Sequence, residues 1–300
     1  MYVRPHGRAI GKTARNERDV MPDEIGMTIL VDNAAVRSGL GSEHGLSMWV
    51  TVAGKHILFD TGMGGALAGN AGTLGIDLQH TDAIVLSHGH FDHTGGLAHV
   101  FGLGISPEIF MHPEAVGARY GCLQTPPHKP IGMRSEIAEM LSARRKDTVP
   151  ATRPTPVSER VWVTGPIPRR NTFEDTGGPF FIDAACCVKD PITDDQAIWL
   201  ETAEGIVVLL GCAHSGVVNT LDYVAGLTGA TEIRAVIGGM HLLNASEERL
   251  AATMDALNRH RVRLLAPCHC TGEAPAALLA ARFPAQHVQA GAGSRFTWLA

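Results

Sequence analysis

The run Leu86-Ser87-His88-Gly89-His90-Phe91-Asp92-His93-Thr94-Gly95-Gly96-Leu97 constrains this chain more than any other part of it. Three histidines and one aspartate fall within six residues, directly after the apolar stretch 83–86 and before glycines that open a helix. Imidazoles packed this densely are hard to explain without a metal or proton-transfer task. In an extended turn His88 and His90 point the same way and can share one cation, while Asp92 and His93 project toward an adjacent position. One short loop thus offers ligands for two metal positions. Imidazole and carboxylate suit zinc above all, with manganese or iron(II) as further options, so one or two divalent transition-metal ions are expected.

Hydrophobic patterning predicts the frame that carries this loop. Short β-rich runs at 25–31, 46–52 and 57–59 give an all-β start. From 83–86 onward apolar strands at 109–111, 161–163, 197–200, 206–210, 235–237 and 264–266 alternate with helical patterns, which implies mixed sheets covered on both faces. Helices are expected at 217–224, at 245–259 with Asn244 and Glu247 as a capping box, and at 274–283 packing through Leu278, Leu279 and Phe283. Prolines at 126, 127, 130, 150, 154 and 156 break this rhythm. They mark an inserted cap at about 121–160 with one helix around 135–143, inside a single domain spanning 25–300. Residues 1–24 read as a polar, basic arm.

Three more histidines stand directly after apolar strands: His214 in Gly-Cys-Ala-His-Ser-Gly, His241 in Gly-Gly-Met-His-Leu, and His269 in Pro-Cys-His-Cys-Thr-Gly. Strand ends are where such folds expose functional groups. His214 and His269 are expected as ligands, and His241 as a ligand or a proton-transfer residue. Cys268 and Cys270 would point away from His269 in an extended segment and are read as packing or turn residues. The six cysteines show no paired spacing and are expected as thiols in a reducing cytoplasm. With a formal charge of −5, mean hydropathy +0.05 and no apolar run long enough to span a bilayer, neither a nucleic acid nor a membrane is an expected partner. The local exception is 121–170, with nine basic residues against four acidic ones. Arg144 and Arg145 are its candidate substrate-binding residues, unless the segment is only a solvated loop.

The His88, His90, Asp92, His93 pattern after a strand resembles the metallo-β-lactamase-fold superfamily, over nearly the whole chain. The resemblance implies an α/β fold, an αββα sandwich of two mixed β-sheets flanked by helices. It also implies that Asp60, in Phe59-Asp60-Thr61-Gly62, orients the histidine loop from behind, although a plain turn or N-cap aspartate has the same signature. The segments Glu43-His44-Gly45, Gly211-Cys212-Ala213-His214, Gly239-Met240-His241 and His269-Cys270-Thr271-Gly272 resemble the branch named for dihydropterin-ribofuranosyl-aminobenzene-phosphate synthase. The chain departs from the commonest superfamily pattern in two places. No histidine lies in 188–196, and Cys212 stands where a bridging aspartate usually follows glycine. Cys212 as thiolate or Asp195 through oxygen are the candidate replacements.

The resemblance implies a metal-dependent hydrolase that uses metal-activated water on a small, anionic ester, phosphoester or cyclic amide. His88, His90 and His214 would hold one cation and Asp92, His93 and His269 a second, with Asp92 or His241 managing the proton. A synthase joining a pterin to ribofuranosyl-aminobenzene phosphate is the alternative, and a metabolite sensor without turnover is a third reading. Diiron flavoproteins of this fold carry glutamate at the position of His90, and RNA-processing relatives need an extended basic element; this sequence has neither feature.

Overall fold

The computed structural model describes residues 24–122 and 125–300. The basic arm expected over residues 1–24 lies outside the described residues except for Glu24, which opens the first strand. Strands are β1 (Glu24–Val31), β2 (Ser47–Val52), β3 (Lys55–Phe59), β4 (Ala83–Val85), β5 (Glu108–Met111), β6 (Tyr120–Gly121), β7 (Lys129–Pro130) and β8 (Thr148–Pro150). They continue as β9 (Thr155–Ser158), β10 (Val161–Val163), β11 (Phe180–Phe181), β12 (Ile198–Thr202), β13 (Gly205–Leu210), β14 (Ile233–Gly239), β15 (Leu264–Cys268) and β16 (Arg295–Leu299). A seven-stranded sheet has the order β16-β1-β2-β3-β4-β5-β8, and a six-stranded sheet β15-β14-β13-β12-β10-β9. Both are mixed: β3, β4, β5 and β8 run parallel in the first, as do β13, β14 and β15 in the second.

Alternation along the strands builds three apolar layers. Ile25, Met27 and Ile29 of β1 meet Val207 and Leu209 of β13 between the sheets. The opposite faces carry Leu58 and Ile84 against helices Leu67–Leu74, Leu97–Gly102 and Ser135–Ala143. Val208 and Leu210 point instead to helices Val217–Thr228, Glu247–Arg259 and Glu273–Arg282. Period-2 strands buried on both faces require such covering on each side, and the result is the expected αββα sandwich. No helix among the described residues is long and apolar enough to cross a membrane.

Three local expectations change. Ser246, not Asn244, caps Glu247–Arg259: its extended backbone lets the hydroxyl accept from Arg249 N at 3.1 Å. Leu278 is exposed while Leu279 and Phe283 are buried, because the last helix begins at Glu273 and turns Leu278 outward. The segment expected as a cap at 121–160 is divided. The helix Ser135–Ala143 buries Ile137 and Leu141 in the sandwich, and β8 and β9 extend the two main sheets. The proline signal misleads because Pro150 and Pro156 lie on edge strands, where a missing N–H costs no ladder bond. What stands over the site is a small three-stranded sheet of order β11-β6-β7.

Candidate metal centre

Strand ends deliver the site. Asp60 follows β3, the histidine loop follows β4, Cys212 and His214 follow β13, His241 follows β14 and His269 follows β15. The parallel strands of the two sheets therefore aim their carboxyl ends at one place. The turns are sharp: Asp60, Ala213, His241 and His269 have φ of 57°, 53°, 46° and 53°. Left-handed backbone at non-glycine residues costs on the order of 1–3 kcal/mol each, and here it clusters where the side chains must turn inward.

Four imidazoles share one arrangement. His214 Nδ1–H donates to Thr176 O at 2.7 Å, and His93 Nδ1–H to Asp60 Oδ2 at 2.7 Å. His269 Nδ1–H donates to Asn33 Oδ1 at 3.0 Å, and His88 Nδ1–H to Ser87 Oγ at 2.8 Å, whose own hydroxyl donates to Asp60 Oδ2. With every Nδ1 committed outward, the Nε2 lone pairs face inward. His88 Nε2 and His214 Nε2 are 3.2 Å apart, and His90 Nδ1 lies 2.9 Å from His88 Nε2. His93 Nε2 and His269 Nε2 are 3.1 Å apart, with Asp92 Oδ2 at 3.7 and 3.6 Å from them. His90 Nε2 is buried with no hydrogen-bond partner among the described residues. Lone pairs of His88, His90 and His214 converging on one another are what a cation between them would reconcile, and His93, His269 and Asp92 offer a second donor set beside them, so the residues fit two divalent ions.

The structure thus brings together all six residues expected as ligands, in the two groups expected, and places Cys212 between them. Its Sγ lies 3.2 Å from His93 Nε2, and Cys212 forms a potential ligand group with His88 and His93. Cys270 also reaches the site, grouped with Cys212 and His269, contrary to the expected outward placement. The left-handed turn at His269 breaks the extended alternation that expectation assumed. Cys268 does pack in the core. His241 packs beside His214, with ring centroids 4.5 Å apart and the planes tilted by 43°, and joins a group with Cys212 and His214.

Electrostatics divide the histidines. Burial, then mutual repulsion with their positive neighbours, pushes His88, His90, His214 and His269 well below the ordinary imidazole range. Burial likewise lowers His241 to about 4. Burial opposes charge on His93 too, but the carboxylates of Asp60 and Asp92 outweigh it and lift the group to about 9. Burial pushes the Cys212 thiol up. Without metal, His93 is protonated below about pH 9, and a cation must displace that proton. Cation binding is therefore expected to release two protons at pH 8, one from His93 and one from Cys212 as it becomes a thiolate. Affinity should rise about a hundredfold per pH unit up to pH 9 and tenfold above it. Titration in weakly buffered solution counts the protons; a single proton would leave Cys212 outside the ligand set.

The acidic residues of 188–196 fasten loops. Asp195 accepts from Ser215 N at 2.7 Å, holding the His214 loop, and burial raises it to about 6. It is not drawn into either cluster. Asp194 accepts from Gly89 N at 2.8 Å and pairs with Arg119, which also binds Asp190 at 3.0 Å. Gly89 is required here because a Cβ would strike the Ala115 backbone. Glu174, 4% exposed, accepts from Val218 N at 2.8 Å and Asn219 N at 2.9 Å, anchoring the helix that follows His214. Glu174→Ala should cost about 2–4 kcal/mol in denaturant unfolding, since two buried N–H groups lose a charged acceptor; a loss below about 0.5 kcal/mol would deny that anchoring.

Sequence reasoning missed His44, whose Nε2 lies 3.2 Å from Asp92 Oδ2, and Asn33, which fixes the His269 ring. Glu43-His44-Gly45 was a visible motif without a role; nothing in the sequence marks Asn33. Arg144 and Arg145 are not brought to the clusters. Arg144 lies over the Phe101 ring at 4.4 Å and donates to Phe101 O and Ile105 O, and Arg145 is exposed in the following turn. A guanidinium so placed satisfies the carbonyls ending helix Leu97–Gly102.

The small sheet walls the centre. Phe180 lies 5.3 Å from the His90 ring and 5.5 Å from that of His214. Two cavities flank this wall. One of about 480 Å³ is lined by Phe91, Arg119, Tyr120, Lys129 and Arg134. The other, about 720 Å³, is lined by Arg169, Thr176, Phe180, Phe181, Lys189 and Asn244, among others.

Comparisons with known proteins agree with this architecture. Residues 40–179 match the family model of the metallo-beta-lactamase superfamily. The 7,8-dihydropterin-6-methyl-4-(beta-D-ribofuranosyl)-aminobenzene-5'-phosphate synthase of Methanocaldococcus jannaschii is 31% identical over 260 residues, covering 82% of this chain and 86% of that protein. An uncharacterized protein of the same archaeon is 32% identical over 245 residues, 81% of this chain and 90% of its own. A solved structure described as a metal-dependent hydrolase of the beta-lactamase superfamily superposes with a TM-score of 0.74 at 28% identity, covering 91% of this chain and 98% of the other. Sandwich, histidine loop and sequence similarity lead to one conclusion: the chain belongs to the metallo-beta-lactamase superfamily.

Proposed function

We propose that this protein is a metal-dependent hydrolase acting on a small anionic ester or phosphoester, with zinc as its metal. The observation that carries this reading is the convergence of the inward imidazole nitrogens of His88, His90 and His214, and of His93 and His269 with Asp92. Bound there, divalent ions supply positive charge that polarises the substrate and lowers the pKa of a water. The chain's own groups do the rest. Lys129 and Arg134 attract the anion in the smaller cavity beside Phe91 of the histidine loop, where the Lys129 ammonium lies 5.0 Å from the ring centroid. Phe180 keeps bulk water from the imidazoles. His241, neutral at pH 7, receives a proton, while Asp92 is steadied by His44.

The test is a screen of the metal-loaded protein against phosphodiesters, phosphomonoesters, lactones and β-lactams. Turnover of an anionic member is expected, and no turnover of any class would remove the hydrolase reading. Lys129→Ala with Arg134→Ala should raise KM for anionic substrates about tenfold while sparing neutral ones; equal effects on both would return these cations to the solvated surface.

A second reading is a synthase joining a pterin to ribofuranosyl-aminobenzene phosphate. It is supported by the name of the 31% identical relative and by the larger cavity, whose Phe180, Phe181 and Asn244 offer the aromatic and amide surface a pterin ring needs. Incubation with both precursors separates the readings, since only the synthase yields the joined product.

A further inference from the structure

Away from the histidine centre, a further group of metal-ligating side chains comes together among the described residues. Cys122 follows β6, His128 precedes β7, and Cys186 lies beyond β11, so the three flank the strands of the small sheet. Antiparallel pairing of Phe180 with Gly121 and Phe181 with Tyr120 brings their neighbours into register, and Cys122 and Cys186, 64 residues apart, form a disulfide. This corrects the expectation of six free thiols; Cys187, Cys212, Cys268 and Cys270 remain free. The potential ligand atoms of Cys122, His128 and Cys186 all lie within 4.8 Å of one another. His128 Nδ1 is buried and has no hydrogen-bond partner among the described residues. An imidazole nitrogen withdrawn from water without a partner is costly, and beside two sulfurs its orphaned state points to a ligand.

We propose that Cys122, His128 and Cys186 form a second, redox-governed metal site for a thiophilic divalent cation such as zinc. A dithiol reductant opens the disulfide: the S–S bond takes up two electrons and two protons, and the reductant closes to its own disulfide. Cation binding then displaces the two thiol protons, and two thiolates with the His128 imidazole hold the ion. In the oxidised form the covalent bond ties the same strands together. Either link fastens the sheet that carries Phe180 over His90 and His214, while the reduced, metal-free form has neither. The site thus couples the wall of the catalytic centre to redox state and metal supply, and it stands whether that centre hydrolyses or joins its substrates.

The test compares the full chain before and after treatment with dithiothreitol, the reductant being removed anaerobically before zinc is added and excess metal washed away. Reduced protein is expected to retain one more zinc per chain than oxidised protein. The His88→Ala, His90→Ala double variant should show the same gain, because the two sites are separate. Cys122→Ser and His128→Ala should each abolish the gain, whereas Cys212→Ser should keep it. With cobalt(II), reduction should add thiolate charge-transfer intensity beyond what Cys212 contributes at the main centre, and that increment should be absent from Cys122→Ser. Should Cys122→Ser fold poorly, Cys186→Ser provides the same reading. Equal zinc content in both redox states, or a gain that survives in Cys122→Ser or His128→Ala, would overturn the proposal.

Discussion

Replacing His88 and His90 together by alanine should strip the cation from the first cluster and lower turnover by about three orders of magnitude or more. Of the three nitrogens converging there, only His214 Nε2 survives, and one imidazole does not hold a divalent ion against chelator. The fold should survive. Both residues sit beyond the end of β4, outside the three apolar layers, and the backbone of the loop stays fastened through Gly89 to Asp194 and through Phe91 to Ile131. Metal-free protein loses a burden, for the substitution removes buried imidazoles whose lone pairs face one another. The decisive comparison is therefore thermal unfolding with and without zinc. Wild-type protein at a free zinc concentration a thousand times Kd should gain roughly 4 kcal/mol from occupancy of a site. The double variant should lose the share due to the first cluster. Equal metal content in variant and wild type would remove the ligand assignment.

The fold was legible where physics is local. Alternating apolar residues in β1 and short β-branched apolar runs such as β13 specify strands whatever surrounds them, and apolar stripes at helical spacing specify Val217–Thr228, bounded by Gly216 and Gly229, and Glu247–Arg259. The histidine loop was legible for the same reason: its ligands lie close in sequence and chemistry gives them few other tasks. His214 and His269 could be named because each follows a strand, but their partners could not. His214 meets His88 across 126 residues and His93 meets His269 across 176, distances that only the packing of two sheets resolves. The aspartates of 188–196 show why ligand counting by letter fails. A carboxylate that accepts from Ser215 N or Gly89 N is indistinguishable in sequence from one that would bind a cation. The Cys122–Cys186 pair and the cations of the smaller cavity were hidden likewise, since both depend on the pairing of two-residue strands too short to carry a pattern.

Asp60→Asn should weaken metal binding by about 10- to 100-fold and destabilise the protein by about 3–5 kcal/mol. The carboxylate is fully buried and holds both ends of the histidine loop at once: Oδ1 accepts from Ser87 N at 2.7 Å, while Oδ2 accepts from Ser87 Oγ at 2.6 Å and His93 Nδ1 at 2.7 Å. Asparagine has nearly the same shape and also tolerates the left-handed backbone at φ 57°, so the substitution isolates charge from strain. Its amide nitrogen cannot accept, which leaves either Ser87 or His93 facing a donor. The pH dependence supplies a second reading. In the metal-free wild type His93 is lifted to about 9, so the stability of its charged pair is complete below the ordinary imidazole value of 6.5 and is lost as pH rises through 9. Without the carboxylate that contribution disappears, and the gap in unfolding free energy between wild type and Asp60→Asn should narrow between pH 6.5 and 9. Metal binding by the variant should also release fewer protons at pH 8, because His93 loses the larger of the two carboxylate influences that keep it charged. A variant whose affinity for zinc stays within twofold of wild type, with an unchanged proton count, would show that the histidine loop holds its geometry without the aspartate behind it.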